Sequence, residues 1–103
     1  MNADKQRIAI AQACGWTYDK HGHWMDATGQ YGIRGLAPDF LNDLNAMHEA
    51  ENKIPNDKWL EFDRHVANTN PTEYQTSWVK RMYRATAAQR AEAFLRTLNL
   101  YTP

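Results

Sequence analysis

Apolar positions recur with a helical period in four stretches of the chain and alternate with glycine and polar residues in one other. In the first stretch, Asp4 to Cys14, the residues Ile8, Ile10, Ala11, Ala13 and Cys14 fall at helical spacing, and Gly15 stands where a left-handed C-terminal cap belongs. From Trp16 to Ile33 the period changes. Trp16, Tyr18, Trp24, Tyr31 and Ile33 are separated by Gly22, Gly29, Gly32 and polar residues, which predicts a small antiparallel hairpin turning around His21-Gly22-His23. Gly35 to Pro38 reads as a connection. Asp39 reads as the N-cap or first-turn acid of a second helix running to about Asn52, with Phe40, Leu44, Met47 and Glu51 on one side. Beyond Pro55, the spacing of Trp59, Phe62 and Val66 predicts a third helix from Asn56 or Asp57. Asn68 to Pro71 reads as a loop. Tyr74, Trp78 and Met82 repeat every four residues as in a helix, whereas Thr76, Trp78, Val79 and Tyr83 suit a strand. The last helix is marked by Thr86 and Gln89, a capping box, and by the stripe Ala88, Ala91, Leu95 and Leu98, flanked by Ala87 and Phe94. No internal repeat or linker is evident.

Composition narrows this picture. The 103 residues suit one domain spanning 1–103. Leu, Ile, Val and Phe total only sixteen, against fourteen Ala, four Trp and five Tyr, so a core of Trp and Tyr packed on Ala is expected. The lone Cys14 cannot bridge internally, and no apolar run reaches the roughly 18 residues of a membrane span. Both points favour a cytoplasmic protein without membrane contact. The zero formal charge argues against a dedicated nucleic-acid binder. It is unevenly spread, however: residues 39 to 63 hold seven acids against Lys53 and Lys58, and residues 80 to 96 hold five basic residues against Glu92. These two segments are expected to pair internally.

Reactive constellations are hard to find. His48-Glu49-Ala50-Glu51-Asn52 has the outline of a zinc-protease helix but lacks the second His, and Asp39, Asp43 and His48 make only a loose acidic group. His21-x-His23 lacks a third ligand. Cys14 ends a helix, where the dipole raises a thiol's pKa, and Ser77 sits in no nucleophile elbow. The glycines form neither a P-loop nor a dinucleotide fingerprint. No catalytic residue, cofactor or metal ligand is therefore assigned.

Two stretches carry a family resemblance. The runs from Pro38 to Glu51 (PDFLNDLNAMHEAE) and from Ala85 to Leu98 (ATAAQRAEAFLRTL), with the opening Ala13-Cys14-Gly15-Trp16, are similar to small phage and prophage proteins grouped as the phage ABA sandwich domain. The resemblance implies an α/β/α layered α+β domain, about four helices around a small antiparallel sheet, and a strand within 74–83. It implies a virus-encoded accessory protein at work in an infected bacterium, and it supplies no catalytic residues. The resulting expectation is a non-catalytic protein that binds a host or phage macromolecule, in the service of counter-defence, through Trp24, Tyr31, Arg34, Trp59 and Trp78. The alternatives are capture of a small nucleotide or nucleic acid by Trp or Tyr stacking with Arg34, Arg81 or Arg84, and a metal-dependent hydrolase around Asp43 and His48. The sparse aliphatic core leaves a homodimer open, through the Ala-rich stripe of the last helix.

Overall fold

The structure, a computed structural model, describes residues 1–69 and 85–103. Among these, four α-helices and a two-stranded antiparallel sheet form an α+β fold. In chain order they are α1 (Ala3–Ala13), β1 (Thr17–Tyr18), β2 (Trp24–Met25), α2 (Leu44–Glu51), α3 (Trp59–Asn68) and α4 (Ala87–Thr97). The sequence expectation for 74–83, Trp78 included, lies outside the described residues. Among the described residues, no helix is long and apolar enough to cross a membrane.

Helices α1, α2 and α4 begin where a side chain takes an orphan backbone N–H. Asn2 accepts from Lys5 N at 2.8 Å to open α1. At α4 the capping box is complete: Gln89 N donates to Thr86 Oγ1 at 3.1 Å and Thr86 N to Gln89 Oε1 at 2.9 Å. The cap of α2 corrects the sequence reading. Asp43, not Asp39, accepts from Ala46 N, while Asp39 holds a separate turn by taking both Asn42 Nδ2 and, through its carbonyl, Asp43 N. That turn lets Phe40 reach the core before the helix starts, so the buried residues of α2 are Met47, Ala50 and Glu51, and Leu44 is left exposed. One turn of 3-10 helix, Asn56–Lys58, leads into α3, whose Phe62 and Val66 are buried as expected.

Helix α4 is the element that α1, α2 and α3 all pack against. Its buried set, Ala87, Ala91, Ala93, Phe94, Leu95 and Thr97, is wider than a single stripe because three neighbours surround it, whereas Ala88 is exposed. Alanines at these positions let the helix axes approach closely. The Ala-rich stripe proposed for a homodimer is thus used inside the chain. The fully buried large side chains are Phe62, Phe94, Ile10, Met47, Leu95 and Val66, each worth about 1.5–3 kcal/mol of apolar burial. Contrary to the composition argument, the described Trp residues and Tyr101 sit half-buried around that core, where indole N–H and phenol O–H groups keep access to water.

Among the described residues, the acidic and basic segments meet inside the protein at Glu51 and Arg90. Arg90 of α4 makes a two-pronged contact with Glu51 of α2, Nε to Oε2 at 2.8 Å and Nη2 to Oε1, with side-chain exposures of 14% and 6%. The guanidinium also lies over the Phe62 ring, 5.5 Å from its centroid. Asp63 of α3 stands close by. Burial raises its carboxyl pKa above the ordinary value, with the Arg90 charge opposing that rise and the Glu51 charge adding to it.

Candidate functional site

The hairpin region is built from two copies of one turn. In each, an aspartate opens the turn and a glycine follows three residues later: Asp19 with Gly22, and Asp26 with Gly29. Asp19 Oδ1 accepts from His21 N and His23 N at 2.9 Å, and Asp26 Oδ1 accepts from Thr28 N at 2.9 Å and Gln30 N at 3.0 Å. Gly22 and Gly29 donate to the carbonyls of Asp19 and Asp26 with φ of +80° and +88°, values a side chain would strain against. The sequence shows this repeat once it is sought, because Asp, Gly and aromatic residues recur seven positions apart as Asp19/Asp26, Gly22/Gly29 and Trp24/Tyr31. A search for longer repeats passes over it.

Strand register then divides the aromatics. Tyr18 is paired with Trp24 across β1 and β2, so their side chains share a face, with ring centroids 5.0 Å apart. Trp24 packs against the core, placing that face inward, and Tyr18 covers its outer edge at 61% exposure. Tyr31 is bridged instead to Met25, which belongs to the opposite face. There the Tyr31 hydroxyl donates to Asp19 Oδ2 at 2.8 Å, and the His23 ring meets the Tyr31 ring edge-on at 6.2 Å. Hydrogen bonds from the His23 N–H, the Tyr31 hydroxyl and the His21 N–H hold the Asp19 carboxyl below its ordinary pKa, and that same carboxylate raises the phenol of Tyr31. Asp26 is likewise lowered, chiefly by the Thr28 hydroxyl at 2.6 Å.

The outward face continues into the 3-10 turn Ile33–Gly35. His23 packs so closely on Gly35 that a Cβ there would meet its ring at 2.8 Å. Ile33 is 88% exposed, Tyr31 54%, and Leu36 also faces solvent. Arg34 is held at φ 57° and ψ 24°, the left-handed region, which costs a non-glycine residue about 1–2 kcal/mol.

Of the five residues singled out from the sequence, Tyr31 and Arg34 are both exposed, three positions apart in the chain. Trp24 packs against the core instead. Trp59 lies elsewhere, at the start of α3, half-buried with its ring edge-on to Phe62 at 5.6 Å, so it is part of the packing. Trp78 is outside the described residues. The structure adds three candidates that sequence reasoning missed, His23, Ile33 and Leu36. Elsewhere, Asp43 is engaged in capping α2 and Asp39 in the turn before it, and among the described residues no group of three or more His, Cys, Asp or Glu side chains assembles as a metal site. Arg90 is committed to Glu51, and Arg81 and Arg84 lie outside the described residues. Comparison of the chain with family models, curated proteins and solved structures finds no match.

Proposed function

We propose that this is a non-catalytic binding protein that docks a protein partner through the outward face of its tandem-turn hairpin, formed by His23, Tyr31, Ile33, Arg34 and Leu36. The observation that carries the reading is the exposure of Ile33 and Tyr31 beside an Arg34 kept in left-handed backbone. Large apolar side chains left in water on a rigid turn are costly unless covered, and aromatic residues with a neighbouring Arg are the usual anchors of protein interfaces. Local charge selects a protein over a polynucleotide. The Asp19 carboxylate bound to Tyr31 puts negative charge on this face, which disfavours phosphates, and Ile33 and Leu36 offer aliphatic surface that bases do not require. The resemblance to phage ABA sandwich proteins supports a host or viral partner in an infected bacterium, with counter-defence as the purpose.

The test is affinity capture from bacterial lysate, followed by binding measurements with the purified partner. Tyr31→Ala, Ile33→Asp and Arg34→Gly are each expected to lose the partner, while Leu60→Ala, on the exposed side of α3, retains it. Undiminished binding by all three hairpin variants would refute the assignment.

A further inference from the structure

A cavity of about 220 Å³ opens between the end of α1, the second hairpin turn and α2. Its walls are Trp16, Pro38, Phe40, Ala46 and Ala50, and its polar groups come from Cys14, Asp26, Thr28, Glu49 and Lys53. It lies behind the docking face, and its occupancy does not depend on that reading. With water taking about 30 Å³ of liquid volume, the space equals roughly seven waters, below the usual range for drug-sized ligands and sufficient for one ring with a short substituent.

The chemistry of the lining limits the occupant. Two carboxylates, Asp26 and Glu49, face one ammonium, Lys53, and among the described residues none of the three makes a side-chain ion pair. Cys14 adds no charge: burial pushes its thiol up to about 11, against the smaller pull of Lys53, and its Sγ donates to Ala50 O at 3.9 Å. The lining therefore carries net negative charge over aromatic and methyl surface. A phosphate or nucleotide is repelled by that arrangement. A cation with an apolar body is attracted by the carboxylates, and its apolar part by the side chains of Trp16 and Phe40.

We propose that this cavity is a binding site for a small organic ammonium whose apolar body fills the space between Trp16, Phe40 and Ala46. Either a simple amine or the ammonium of an apolar amino acid meets this description, the latter placing its carboxylate on Lys53.

Benzylamine is a suitable probe, titrated into the intact chain and followed by amide chemical shifts. Saturation with Kd of about 1 mM is expected, the scale for so few ligand atoms, with shifts at Cys14, Ala27, Thr28 and Ala50. Glu49→Gln, at an exposed position that does not threaten folding, should weaken binding about fivefold, and uncharged benzyl alcohol should bind the native chain more weakly by a similar factor. Ala46→Leu, which fills the space, should abolish the shifts. Tighter binding of phenylalanine than of benzylamine identifies the amino acid, and the reverse order identifies the simple amine. Equal affinity for benzylamine and benzyl alcohol, the absence of saturation, or shifts mapping outside the cavity would each overturn the proposal.

Discussion

The helical half of the molecule and its hairpin solve the problem of burial in opposite ways. Around α4, three helices hide phenylalanine, methionine and aliphatic side chains, and the buried Glu51–Arg90 ion pair is closed over by them. In the hairpin, two aspartates hold the backbone by taking its N–H groups, and apolar side chains are left facing water. Cohesion therefore resides in one region and exposed apolar surface in the other. A protein built this way can alter that surface with little risk to whether it folds.

The contrast can be broken most forcefully in the helical half. Phe94→Ala should lower unfolding free energy by about 3–5 kcal/mol in denaturant melts, because the cavity it leaves has α1, α2 and α3 on its margins. Retention of native stability would mean that α4 is not the centre of the packing.

Next in size is Glu51→Gln, expected to cost about 3 kcal/mol by removing the buried carboxylate that Arg90 grips at two points, whereas the double change Glu51→Leu with Arg90→Met should cost much less than the two single changes summed. Additive costs would show that the two side chains act separately.

Arg34→Gly sharpens the comparison in the other direction. Removing the left-handed strain should raise stability by about 1 kcal/mol while weakening partner binding, a split visible in a melt and a binding titration on the same sample. A loss of both would place Arg34 in the fold instead of the interface.

Acid should separate the halves with the smallest change in global stability. Asp19 and Asp26 have folded-state pKa values held below the ordinary carboxylate value, so the stability they contribute is present above that ordinary value and is lost as pH falls through their depressed folded values. Asp63 has the opposite sign. Its raised carboxyl disfavours the fold once ionised, and protonation as pH falls through its folded value relieves this. Hydrogen exchange is thus expected to show hairpin amides His21, His23, Thr28 and Gln30 losing protection before those of α4. Simultaneous loss would mean that the turns depend on the core.

Much of the helical half was legible in the chain because its signals are local. Thr86 and Gln89 announce a cap three residues apart, and Phe62 and Val66 mark a face by period alone. Choosing between Asp39 and Asp43 as the cap of α2 was not possible locally, since both aspartates fit the rule and the decision rests on where Phe40 is buried. Glu51 reads as a surface acid until Arg90, 39 residues away, is brought beside it. At the hairpin, the aromatic content was visible, but not which face each ring occupies. That depends on register, which turned Trp24 inward and Tyr31 outward.

Each hairpin turn closes its hydrogen bonds with its own aspartate and asks nothing of the helices. Duplicating the seven-residue unit would therefore lengthen the meander by another strand without disturbing existing packing. The chain carries a modular route by which its reach could be extended over generations.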